Sequence, residues 1–173
     1  MSITAPIFAA LMAAGSFIRI PLAPAAITLQ TLFLFMLSLM LPAKEAVKSV
    51  LLYLFIGAIG FPVFSTGGGL AGLIGPTGGF LIAMIPASLI GSLIVSVRRD
   101  SILMKIVALA AMNIILYAIG LAWMMARLNM NLQSAFIAGC LPYIPGDAVK
   151  ALVAIAVSSS LKGEIDSLLS KKE

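Results

Sequence analysis

Six apolar runs divide this chain, and most of its charged residues lie between them, near their ends or after the last. The runs cover residues 3–18, 26–41, 46–61, 78–97, 102–126 and 134–161. A helix needs about 17–25 residues to cross the hydrocarbon core of a bilayer. The first three runs are therefore short, and they are expected to tilt, break or shelter behind neighbours. Composition agrees with lipid as the solvent: 62% of the 173 residues are hydrophobic and 10% charged. Soluble domains run near half apolar and a quarter charged, and one this small could not hide such an excess in its core. The chain is expected to be an all-α integral membrane protein, one domain over 1–173, with about six transmembrane helices.

The charges then set an orientation. With six helices and the N-terminus inside, the inner connections hold Lys44, Lys48, Arg98, Arg99, Lys105, Lys162, Lys171 and Lys172, while the outer ones hold Arg19 and Arg127. Cytoplasmic loops carry the excess of Lys and Arg, so both termini are expected to be cytoplasmic. The net charge of +5 is dispersed over helix ends and makes no basic face for nucleic acid. Cys140 is the single cysteine and there is no histidine, which excludes an intrachain disulfide and argues against zinc or haem. No metal or cofactor is expected. The first run lacks a basic start and is read as a retained helix, not a cleaved signal.

One connection differs from the rest. Ser65 to Gly79 reads STGGGLAGLIGPTGG and holds seven of the fifteen glycines without a charge. Glycine admits positive φ and close backbone approach at an entropic cost. Irregular backbone at membrane depth persists where it is buried in protein or lines a cavity. The alternatives are a re-entrant or capping loop over a cavity, between helices 3 and 4, and a flexible external linker. The surrounding Phe61, Pro62, Val63, Phe64, Leu70, Leu73 and Ile74 favour the loop.

Ionisable groups inside apolar runs are functional candidates by default. Asp147 and Lys150, in YIPGDAVKALVAIAV, stand at i,i+3 and share a helix face. The helix is expected to start near Asp147, leaving 131–146 as a loop with a short helix of its own. Asp147 could then be an N-cap that Lys150 merely neutralises. A cation near a helix N-terminus opposes the dipole, which points to an anionic partner, either Asp147 or a ligand. Gln30, and the pair Asn113 and Tyr117 at i,i+4, are further ligand candidates or interhelical hydrogen-bonders. Arg19 reads as an interfacial anchor. In the first run Ala5, Ala9 and Ala13, with Ala10 and Ala14, repeat at four-residue spacing, suited to bundle packing or to docking another membrane subunit.

No G-x-x-x-x-G-K-[ST] phosphate loop is present, and no nucleophile–base pair or carboxylate dyad is visible, so the chain is expected neither to hydrolyse ATP nor to be an enzyme. Six helices are also few for a carrier built from paired halves. Three stretches resemble the BioY family, the biotin-specific S components of energy-coupling-factor transporters. They are ITLQTLFLF at 27–35, IGAIGFPVFSTGGGLAGLIGPTGGFLIA at 56–83 and YIPGDAVKA at 143–151. The resemblance implies a six-helix domain in a bacterial or archaeal cell membrane that binds biotin on its outer side. It implies a loop after the third helix, here Phe64, Ser65, Thr66, Gly67, Gly68 and Gly69, that covers the ligand. It implies contacts from Asp147 and Lys150, with the ureido group suiting the acid and the carboxylate the lysine. Its partners would be a transmembrane coupling subunit, docked through the alanine-rich first helix, and two cytoplasmic ATPases. Against it stand an S component for another vitamin, a membrane assembly protein without a small ligand, and a stand-alone oligomeric carrier.

Overall fold

The computed structural model describes residues 3–22 and 26–161; Lys162, Lys171 and Lys172 lie outside that range. Its helices are α1 (Thr4–Phe17), α2 (Gln30–Met40), α3 (Ala43–Ala58), α4 (Leu70–Ile74), α5 (Gly78–Val97), α6 (Ile102–Leu128), α7 (Leu132–Gly139) and α8 (Ile144–Ser160). Two short strands, β1 (Arg19–Ile20) and β2 (Ile27–Thr28), pair antiparallel between α1 and α2, with Arg19 opposite Thr28. Each of the six apolar runs carries one main helix, α7 is the short helix expected within 131–146, and α4 is the addition. Among the described residues α5 and α6 are each long and apolar enough to cross a bilayer, and α7 with α8 forms a third such unit bent by 50°. At 1.5 Å per residue, the 11 residues of α2 reach roughly half of the ~30 Å hydrocarbon core.

Close approach holds the longest pair together. An added Cβ at Gly79, Gly91 or Gly120 would overlap Trp123, Met112 or Phe80, so α5 and α6 meet at glycines along their length. Small residues serve membrane helices in this way because lipid provides no hydrophobic drive for association. The interior is filled by Met12, Leu34, Phe35, Leu37, Tyr53 and Met112, all fully buried. Ile102, Leu103, Ile106 and Ile114 of α6 remain exposed, as a lipid-facing surface requires.

Two expectations change here. The 65–79 segment is not one loop: it contains α4, and Gly78 and Gly79 already belong to α5. The last helix starts at Ile144, three residues before Asp147, with Pro145 in its first turn. The first-turn amides have no intrahelical acceptor, so proline there forfeits nothing. The N-cap is Tyr143, and the Asp147 amide donates to the Tyr143 carbonyl at 2.8 Å. Asp147 is thus a first-turn residue and not a cap.

The bundle has two unlike ends. Lys44 and Lys48 open α3, Arg98 and Arg99 follow α5, and Lys105 sits at the start of α6. The Arg99 guanidinium donates to the Met40 carbonyl at the end of α2 (3.4 Å). The starts of α2, α5 and α8 gather at the opposite end.

Candidate functional site

At that opposite end, the starts of α2, α5 and α8, the second half of α6 and the chain at 65–66 enclose a cavity of about 100 Å³. Phe80, Leu81, Met84 and Leu116 form its apolar wall. Polar groups cluster on the α2–α8 side. Lys150 Nζ lies 2.9 Å from Asp147 Oδ1 and donates to Thr31 Oγ1 at 2.8 Å. The Thr31 hydroxyl donates in turn to Asp147 Oδ1 (3.3 Å), and the Tyr117 hydroxyl donates to Asp147 Oδ2 (2.6 Å). Asp147 and Lys150 are 8% and 7% exposed. A buried ion pair survives when further hydrogen bonds satisfy its remaining valences, and here Thr31 and Tyr117 supply them. Gln30 is buried beside this cluster, with its Nε2 3.3 Å from Met84 Sδ.

The structure therefore brings Gln30, Ser65, Thr66, Tyr117, Asp147 and Lys150 to one cavity. It does not bring Phe64, Gly67, Gly68, Gly69 or Asn113 to its lining. Phe64 is 3% exposed, and its ring meets Tyr53 edge-on at 5.5 Å and 79°. Its slot is built from glycines: a Cβ on Gly57 would overlap the ring, and one on Gly72 would come within 2.8 Å of it. Phe64 and Gly67 exchange backbone hydrogen bonds of 2.8 and 2.9 Å. Ser65 and Thr66 are thus the central residues of a tight turn, which Gly67 leaves at φ 111°. The phenylalanine anchors the turn, the glycines shape its exit, and the two hydroxyl residues line the cavity. Asn113 bonds back to the Leu109 carbonyl (3.1 Å).

The alanine stripe of α1 also divides. Ala5 and Ala9 are buried in the bundle and Ala13 partly so, while Ala10 and Ala14 are exposed. Sequence reasoning missed Thr28, Thr31, Thr77 and Tyr143, which also line the cavity. Thr28 lies in β2 and Thr31 in α2, so no single helical or strand spacing in ITLQT marked the two as a pair.

Bundle and cavity together define the class: a mostly helical integral membrane protein with a cavity for a small ligand set among its helices. More particularly, the chain belongs to the BioY family, whose sequence profile matches residues 2–167. It is 36% identical to the probable biotin transporter BioY of Pyrococcus horikoshii over 159 residues, covering 91% of this chain and 93% of that one. It is 33% identical to the biotin transporter BioY of Thermotoga maritima over 161 residues, covering 92% and 94%. Among solved structures, the S-component for biotin from an ECF-type ABC transporter superposes with a TM-score of 0.84. That match has 26% sequence identity and covers 92% of this chain and 88% of that one.

Proposed function

We propose that this chain binds biotin in the 65–66/α2/α5/α6/α8 cavity as the substrate-specificity subunit of an energy-coupling-factor transporter. The observation that carries the reading is the Asp147–Lys150 pair, closed by Thr31 and Tyr117 and facing the apolar wall of Phe80, Leu81, Met84 and Leu116. Pockets for small ligands are mostly apolar with a few placed polar groups, and the fused rings of biotin with their ureido group match that pattern. Named relatives over most of the chain support the same ligand.

The pair also bears on which end of biotin enters. The expected division, with the carboxylate on Lys150 and the ureido group on Asp147, asks opposite ends of the ligand to reach atoms 2.9 Å apart. An extended ligand presents one end to both. The cluster is internally neutral, so the uncharged ureido group suits it. Asp147 accepts from a ureido N–H, and Lys150 donates to the ureido oxygen. Ser65 and Thr66 sit over the remainder.

In this reading the chain spans a bacterial or archaeal cell membrane six times, with both termini cytoplasmic and the cavity at the outer end. A transmembrane coupling subunit and two cytoplasmic ATPases supply the energy. The distribution of cations supports the orientation, since the described basic clusters lie at the end away from the cavity. The test is equilibrium binding of labelled biotin to the purified chain in detergent, beside Lys150→Ala and Asp147→Asn. Stoichiometric binding by the parent, lost in both variants, is the expected result. A folded parent that binds no biotin removes the assignment.

A further inference from the structure

If the Asp147–Lys150 cluster receives the neutral end of the ligand, the anionic end needs its own partner. The cluster cannot supply one, because its two charges already cancel at 2.9 Å. Placing an uncompensated carboxylate against an apolar wall is costly. Among the described residues, one other cation is bonded to a residue of the cavity lining. It is Arg19, which donates from its guanidinium to the Ser65 carbonyl. Across the small ribbon Arg19 stands opposite Thr28, a second lining residue. It is therefore fixed beside the cavity at two independent points.

The side chain also has capacity to spare. Arg19 is exposed, and the Ser65 carbonyl takes one N–H of a group that presents five in a planar fork. Such a fork accepts a carboxylate with two parallel hydrogen bonds, and arginine keeps its charge at any relevant pH. The sequence reading of Arg19 as an interfacial anchor accounts for a cation at the end of the first run. It does not account for a bond to the tight turn that carries Ser65 and Thr66.

We infer that Arg19 is a second, outer anchor of this site, taking the carboxylate of the ligand at the mouth while the Asp147–Lys150 cluster holds the ureido end. Resting on the biotin reading, this makes Arg19 the residue that selects an anionic tail. It also makes the bond to Ser65 the means by which the guanidinium is aimed before the ligand arrives.

The experiment compares biotin with biotinamide, in which the tail is neutral, on the full chain and on Arg19→Gln and Arg19→Lys. The parent is expected to prefer biotin. Arg19→Gln should weaken biotin roughly ten- to a hundredfold, as for loss of a charge-assisted hydrogen bond, and leave biotinamide unchanged. Arg19→Lys should recover part of the loss for biotin alone. Unchanged biotinamide binding also certifies that the variant is folded. Equal weakening of both ligands overturns the inference, because it leaves Arg19 holding the turn and no more. Unchanged affinity for both also overturns it and restores the interfacial anchor. A parent that binds neither ligand removes the biotin reading itself, and the inference with it.

Discussion

Asp147 accepts hydrogen bonds from Lys150, Thr31 and Tyr117, so both of its oxygens are engaged before any ligand arrives. A ureido N–H must share or replace one of these donors, and the net gain is the difference between two similar bonds. What the neighbours add is aim. Tyr117 reaches Asp147 Oδ2 from α6 at 2.6 Å, fixing the carboxylate plane that the ligand meets. Tyr117→Phe keeps the ring and removes the hydroxyl. The bond is already made in the free protein, so its loss acts on affinity only through the aim of the carboxylate, and biotin affinity should fall severalfold while the fold is retained. Titration calorimetry in detergent would check this, and an unchanged Kd would make Tyr117 a bystander. The pair Asp147 and Lys150 could be read from the sequence because i,i+3 spacing defines a helix face without tertiary information. Thr31 could not be read that way. It lies 116 residues from Asp147 and 119 from Lys150, and joins them because α2 packs on α8. A threonine in an apolar run carries no mark that separates that role from a hydroxyl bonded to its own helix, as Ser38 is to Leu34.

The segment from Val63 to Gly75, which carries the Ser65–Thr66 turn, is held by side chains of three other helices. Ser16 at the end of α1 donates to the Val63 carbonyl (2.6 Å), Tyr53 of α3 donates to the same oxygen (2.9 Å), and Trp123 of α6 donates to Gly75 (2.9 Å). Phe64 plugs the slot left by Gly57 and Gly72. Gly57→Ala puts a methyl group where the ring lies, and overpacking of this kind costs about 1–3 kcal/mol. Phe64→Ala empties the slot at about 3–5 kcal/mol. Because the two changes act on one volume, the double variant should be destabilised by less than the sum of the singles. Thermal unfolding of the four proteins in detergent checks this, and strict additivity would show that the slot does not couple them. The cluster of glycines signalled that backbone and ring pack closely in this region. It could not say which glycines serve Phe64 and which open α5, because that depends on partners from α3 and α6. Pro145 misled in the other direction. It suggested a break before Asp147, whereas the first turn of α8 accommodates it, and the helix starts early enough to carry Asp147 inside its first turn.

For the whole molecule, the division of α1 separates packing from docking. Its inner face, with Ala5, Phe8, Ala9 and Met12, is buried, and its outer face presents Ile3, Ile7, Ala10, Ala14 and Phe17. The sequence showed alanines at four-residue spacing but not two faces, because Ala9 and Ala10 are adjacent and each continues a stripe. In the proposed transporter, the outer face is the part of α1 available to the coupling subunit, and Ala10 and Ala14 let a partner helix approach closely. The two faces then predict opposite phenotypes. Leucine at both Ala10 and Ala14 adds bulk toward lipid, away from the cavity and core, so biotin binding and unfolding temperature in detergent should match the parent. Co-purification of the coupling subunit and biotin uptake should both be lost. Leucine at Ala9, which is 2% exposed, should instead overpack the bundle by about 1–3 kcal/mol and lower the unfolding temperature of the isolated chain. Uptake at the parental rate by the Ala10→Leu, Ala14→Leu protein would place docking on another surface. A loss of biotin binding in that same protein would mean that α1 communicates with the cavity directly, through its Ser16 bond to Val63 and its continuation into Arg19.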